Sequence, residues 1–129
     1  MNALRILVVE DDALIAMLLA DLLTEMGHEI CAIEGTEVTA VAAAARCRPH
    51  LIIADARLGD ESGIAAVDEI LCSGPVPHVF ISGEPVWVQS LRPGSVVVPK
   101  PFREADLTRA MQRALDAAVV AQSENAALE

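Results

Sequence analysis

Tyrosine is absent from this chain of 129 residues, tryptophan occurs once and phenylalanine twice, so aromatics make up only 2% of it. A flavin or other cofactor held by ring stacking finds few partners in such a composition. Lysine occurs once, as Lys100, and every other basic side chain is an arginine or one of three histidines. Nine lysines and arginines face 19 carboxylates, a net charge of −10. That surface repels nucleic-acid phosphates and anionic lipid. Cys31, Cys47 and Cys72 form no CxxC pair and leave an odd number, as in a chain kept reduced. No signal-peptide pattern precedes Glu10, so a cytoplasmic location is expected. No apolar run approaches the roughly 20 residues that a membrane-spanning helix needs. His28, His50 and His78 lack metal-ligand spacing and read as solvated or capping residues. What the chain does have is hydrophobic residues, 53% of the total, and length enough for one sizeable core.

Those hydrophobic residues follow two alternating patterns. Runs at 6–9, 30–33, 51–54, 79–81 and 96–98 are continuously apolar and mostly β-branched, as strands covered on both faces are. Helix-spaced stretches lie between them. Leu14, Ile15, Leu18, Leu19, Leu22, Leu23 and Met26 mark a first helix stopped by Gly27. An alanine-rich second spans 36–47, with Thr36 as N-cap and Pro49 beyond its end. A third spans 62–71. The last begins near Arg103 and repeats Leu107, Met111, Leu115 and Ala118, with Glu104 and Asp106 suited to its first turn. Only the segment from Glu84 to Gly94, with Pro85 and Pro93 near its ends, is left for the fourth crossover. Helix 4 is therefore at most two turns, over 86–92, or a loop. The alternation predicts an α/β fold: a flavodoxin-like, doubly wound, five-stranded parallel sheet of order 2-1-3-4-5 with helix 4 short or missing. One domain over residues 1–120 is expected, with 121–129 as a frayed tail.

Acidic residues stand at the carboxyl ends of two neighbouring strands. Glu10-Asp11-Asp12 follows the first run and Asp55 the third. In the predicted order these carboxylates converge to about 5 Å, and two such charges repel by roughly 3 kcal/mol at an effective dielectric of about 20. A hard divalent cation with oxygen ligands relieves that repulsion, and Mg²⁺ suits one or two carboxylates plus a phosphoryl group. Asp12 taken alone reads as the N-cap of helix 1. Lys100 follows the fifth strand in Pro99-Lys100-Pro101-Phe102, where it reaches the cluster as a compact point charge. Ser82 ends the fourth strand and offers a hydroxyl to the same edge, although alone it reads as a turn residue before Gly83.

Val8-Val9-Glu10-Asp11-Asp12, Ile53-Ala54-Asp55, Ile81-Ser82-Gly83 and Lys100-Pro101-Phe102, in that order, resemble the receiver domain of bacterial two-component response regulators. The resemblance runs from residue 4 to about 117 and implies a CheY-like fold. It implies that Asp55 is the phosphoacceptor, that Ser82 hydrogen-bonds the phosphoryl group and that Lys100 forms a salt bridge to it. It also implies Mg²⁺ held by Glu10, Asp11, Asp55 and the backbone carbonyl of Arg57, and a cis bond between Lys100 and Pro101. The donor it implies is a sensor histidine kinase or a histidine phosphotransfer protein, and the output a contact with a protein partner. The 29 residues after Lys100 leave no room for a helix-turn-helix module. A stand-alone receiver is expected, monomeric or weakly homodimeric, without nucleic-acid or membrane contacts.

Asp12, Glu84, Val97 and Pro101 are expected to modulate the site. Position 97 is often aromatic in receivers and rotates as a switch; valine there excludes that readout. Gly59 stands where many relatives carry proline, which is expected to loosen the loop after Asp55, with Asp60, Glu61 and Ser62 compensating. Phe80-Ile81-Ser82-Gly83 with the short fourth crossover resembles an alphaproteobacterial subgroup of single-domain receivers carrying a Phe-Ala-Thr-Gly motif. Trp87 is expected to cover the sheet where a full helix 4 would pack, or else to anchor a partner. Arg57 and Glu84 each lie two residues past a site residue, and the hypothesis is that they pair across its mouth and shield an acyl phosphate. Two other readings stay open. One is a phosphatase- or dehalogenase-like enzyme with Asp55 as nucleophile, although Arg57 replaces the usual second acid. The other is a pseudo-receiver that binds partners without taking phosphate.

Overall fold

Each apolar run becomes a strand because helices cover both of its faces. In a computed structural model describing residues 2–128, the order is β1 (Arg5–Val9), α1 (Ala13–Glu25), β2 (Glu29–Glu34), α2 (Glu37–Cys47), β3 (Leu51–Asp55), β4 (Arg57–Leu58), β5 (Glu61–Ser62), α3 (Gly63–Leu71), β6 (His78–Ser82), α4 (Pro85–Leu91), β7 (Val97–Pro99) and α5 (Glu104–Leu128). Five parallel strands form one sheet in the order β2-β1-β3-β6-β7, and β4 with β5 makes a separate antiparallel hairpin. With the hairpin set aside, this is the predicted flavodoxin-like order. Side chains alternate between two cores. Leu7 and Val9 of β1 and Ile52 and Ala54 of β3 pack with α2 and α3 on one face. Ile6, Val8, Leu51 and Ile53 pack with Leu19 and Leu23 of α1 and Leu107 and Met111 of α5 on the other.

The predicted caps Asp12 and Thr36 are in place, and Ser62 adds a third. Asp12 accepts from the N–H groups of Leu14 and Ile15 at 3.0 and 3.1 Å, Thr36 from Thr39 at 3.1 Å, and Ser62 from Ala65 at 3.1 Å. Gly27 ends α1 with φ +96°, a conformation that glycine adopts without a Cβ penalty. Two histidines start β1: Nδ1 of His28 accepts from the Leu4 N–H at 3.1 Å, and Nδ1 of His50 from the Arg5 N–H at 2.9 Å. The three cysteines are unpaired thiols, and burial together with the neighbouring Cys47 thiol pushes Cys31 up to about 12. That is the state of an inert filler.

Two details differ from the pattern in the sequence. α5 extends through Leu128, where alanine, glutamine and glutamate suit a helix, and Glu129 of the expected tail lies outside the described residues. The apolar stripe of α1 is wider than the face it buries, and Leu14, Met17 and Leu18 face solvent while Ala16, Leu19 and Leu23 pack inward. Helix 4 is the short element expected, seven residues over Pro85–Leu91, with Pro85 in its first turn and Val88 as its one buried residue. Among the described residues no helix is long and apolar enough to cross a membrane.

Candidate functional site

The carboxyl edge of the sheet collects the acidic and basic residues. Val9 lies opposite Ala54, so Glu10 and Asp55 leave β1 and β3 as neighbours. Asp55 lies opposite Ile81 and Ser82 opposite Pro99, which brings Ser82 and Lys100 to the same edge. Asp55 is 9% exposed, Glu10 6% and Ser82 4%. The Lys100 ammonium lies 2.6 Å from Oδ2 of Asp55, and its backbone N–H donates to the Ser82 carbonyl at 2.9 Å. Oδ1 of Asp55 accepts from the Arg57 N–H at 3.0 Å. Both acceptor atoms of this buried carboxylate are thus engaged, one by the chain's single lysine. The Lys100–Pro101 bond is cis, as the resemblance implied.

Electrostatics at this edge follow from crowding. Burial, then the hydrogen bond and charge of Asp55, push the Glu10 carboxyl from 4.5 to about 8, against the pull of Lys100 and of the Asp12 N–H. Burial alone would lower the Lys100 ammonium, but the hydrogen bond and charge of Asp55, joined by the charges of Glu10 and Asp11, hold it above its ordinary value. Burial and the neighbouring Asp55 charge thus disfavour the ionised form of Glu10. Among the described residues no three carboxylate, histidine or cysteine side chains are grouped as a protein-only metal cage. An ion such as Mg²⁺, which keeps several waters, asks only for one or two carboxylates. The Glu10–Asp55 pair fits it: two largely buried carboxylates at neighbouring strand ends offer the oxygens that such a cation takes.

The remaining predicted residues divide. Asp11 is exposed at the mouth, and a Cβ on Gly59 would lie 3.4 Å from its Oδ2. The Asp12 side chain is spent on capping α1, so it touches the site only through its N–H. Val97 is half-buried against the α2–α3 core and Pro101 is exposed. Arg57 and Glu84 do pair, with Nε 3.0 Å from Oε1, and the Glu84 N–H donates to Ser82 Oγ at 2.9 Å. The loop after Asp55 is not loosened by Gly59. It is the β4–β5 hairpin, whose turn takes Gly59 at φ +60°, the sign that a two-residue II′ turn needs at its first position. The Glu61 carboxylate accepts from the Glu37 N–H at 2.8 Å while the Glu37 carboxylate accepts from the Ser62 N–H at 3.0 Å, which pins the hairpin to α2.

Three features escape a reading of the sequence. A Cβ on Gly63 would overlap the carbonyl oxygen of Asp55, so the first residue of α3 must be glycine for β3 to end where it does. A glycine directly after the N-capping Ser62 is the only trace of this in the chain. The reciprocal Glu37–Glu61 contact leaves no periodic signal. The third is the Arg57 guanidinium, which lies 4.2 Å from the centroid of the Trp87 ring, itself packed partly buried on the core as expected.

Comparison with known proteins returns one family. A family model described as the response regulator receiver domain matches residues 6–112. The chain is 37% identical over 117 residues to the phyllosphere-induced regulator PhyR of Methylorubrum extorquens, covering 88% of this chain and 44% of that protein. It is 34% identical over 115 residues to the transcriptional regulatory protein PdtaR of Mycobacterium tuberculosis, covering 86% of this chain and 56% of that one. The chain thus spans about half the length of these relatives. The solution structure of the Erythrobacter litoralis PhyR receiver domain superposes with a TM-score of 0.80 at 37% identity, covering 89% and 92% of the two chains. The anti-anti-sigma factor PhyR of Bartonella quintana gives 0.83 at 31% identity, covering 97% of this chain and 52% of that one.

Proposed function

The chain belongs to the response regulator receiver domain family, and from that premise we propose that Asp55 takes a phosphoryl group from the phosphohistidine of a sensor histidine kinase or a histidine phosphotransfer protein. The observation that carries this reading is the 2.6 Å contact between Lys100 and a buried Asp55 that also crowds Glu10. A carboxylate oxygen of Asp55 attacks phosphorus in line as the bond from phosphorus to the donor imidazole breaks. The electron pair of that bond leaves with the imidazole, which takes a proton from solvent.

Mg²⁺, which Glu10, Asp11, Asp55 and the Arg57 carbonyl would hold, neutralises charge on the phosphoryl oxygens when bound. Lys100 moves its ammonium from Oδ2 to those oxygens as the charge passes to them. Ser82 accepts from the Glu84 N–H, which leaves the hydroxyl's own proton free to donate to the phosphoryl group. The acyl phosphate adds nearly two negative charges and strong acceptors. Drawing Ser82 toward them pulls on Glu84 and so on the start of α4, and that displacement switches a contact with a protein partner. The Arg57–Glu84 pair spans the mouth and shields the acyl phosphate from water. No observation favours a phosphatase or dehalogenase, since the residue two past Asp55 is a guanidinium committed to Glu84.

Incubation with Mg²⁺ and a small phosphodonor, followed by intact mass, tests the proposal. Wild type is expected to gain one phosphoryl group and Asp55→Asn none. Equal gain by both, or none by wild type, contradicts it.

A further inference from the structure

Arg57 and Glu84 are each fastened to the site by their own backbone. The Arg57 N–H holds Oδ1 of Asp55 and the Glu84 N–H holds Oγ of Ser82, while their side chains meet at 3.0 Å. A strap of contacts therefore runs from the phosphoacceptor to the hydroxyl across the mouth. Taken alone it is weak, because both side chains are more than half exposed and a surface ion pair of this kind contributes little. What distinguishes it is the platform underneath. Trp87, three residues past Glu84, packs partly buried on the core, and the guanidinium of Arg57 lies over its ring, 4.2 Å from the centroid. A planar, weakly hydrated guanidinium lies over an aromatic face more readily than a lysine ammonium does.

We infer that Trp87 is a positioning residue for the phosphorylated site: by holding the Arg57 guanidinium in register with Glu84 it keeps the strap closed and lengthens the life of the acyl phosphate. The inference rests on the reading of Asp55 as phosphoacceptor. Loss of the group breaks the bond between phosphorus and the Asp55 oxygen as a water oxygen bonds to phosphorus. The carboxylate departs with the electron pair, and the proton of the water passes to solvent or to the released phosphate. A fixed guanidinium over the mouth excludes that water; a freely rotating one admits it.

The experiment loads wild type, Trp87→Leu, Trp87→Phe, Arg57→Gln and the Trp87→Leu/Arg57→Gln double variant with a small phosphodonor and Mg²⁺. After donor removal, loss of the phosphoryl group is followed by intact mass. Trp87→Leu is expected to shorten the half-life by about two- to fivefold, the size of an exposed cation–aromatic contact. Trp87→Phe, which keeps a π face, recovers most of the wild-type half-life, and Trp87→Leu adds nothing once Arg57 is glutamine. Because Trp87 is the only tryptophan in the chain, Arg57→Gln also changes the emission of the unphosphorylated protein. Equal half-lives for wild type and Trp87→Leu overturn the inference, as does an undiminished effect of Trp87→Leu in the Arg57→Gln background. Wild type that takes up no phosphoryl group overturns the premise and the inference together.

Discussion

Asp55 is held by its neighbours to a degree that its place in the chain does not reveal. Its end of β3 was legible in the sequence because a solid apolar run stopped at an acid, and Glu10 and Lys100 were legible for the same reason at their own strand ends. Gly63 was not, because a close approach of backbone to backbone leaves no chemical mark. Gly63→Ala forces a methyl group into the Asp55 carbonyl. It is expected to cost about 1–3 kcal/mol, as overpacking does, and to slow phosphoryl uptake, both read from denaturant titration and intact mass. A stability equal to wild type would contradict that contact. His28 carries a different prediction. Its ring is buried and accepts from the Leu4 N–H, and burial lowers its pKa below the ordinary 6.5. The folded protein keeps it neutral while the unfolded chain takes up a proton once the pH drops below 6.5. This contribution to stability is therefore complete above that pH and is lost as the pH falls toward the lower folded value. Melting temperatures are expected to fall less steeply between about pH 7 and 5 in His28→Asn, which keeps an acceptor without a titrating ring.

Among the elements, α4 is the one least fixed by hydrophobic packing. Its shortness followed from proline spacing; its being a helix did not, since two prolines near the ends of one crossover suit a loop as well as a two-turn helix. One buried residue, Val88, and no side-chain N-cap leave it to polar ties. Arg92 at its end bonds Asp68 of α3, with Nε 2.9 Å from Oδ1, and Gln89 bonds the Ser95 carbonyl at 2.7 Å. Such exposed pairs contribute at most about 1 kcal/mol to global stability. Asp68→Asn is accordingly expected to leave the unfolding midpoint nearly unchanged and to raise amide hydrogen exchange in α4 alone. Exchange that rises equally in β3 and β6 would show that α4 opens only with the whole fold. The β4–β5 hairpin makes the opposite case. A glycine at position 59 suggested looseness offset by Glu61 and Ser62, and both residues do tie the hairpin to α2. The Glu61 carboxylate accepts from the Glu37 N–H, and the Ser62 N–H donates to the Glu37 carboxylate.

At the scale of the molecule, the fold was read from alternating patterns because each of its five sheet strands is solidly apolar and each helix has its own punctuation. Parallel topology then delivered four strand ends to one edge, so most of the site came with the fold. What the pattern could not supply is the set of contacts between loops, such as the Arg57–Trp87 stack, which exists only once β4 and α4 lie side by side. The central claim is that this edge receives a phosphoryl group on Asp55 with Lys100 as its cation. A crystal structure with Mg²⁺ and beryllofluoride, which mimics an acyl phosphate, tests it most directly. The expected result is beryllium bonded to a carboxylate oxygen of Asp55, with Nζ of Lys100 and Oγ of Ser82 each within hydrogen-bond distance of a fluoride. Asp55 left bare in that structure, with Lys100 still on its Oδ2, would contradict the account.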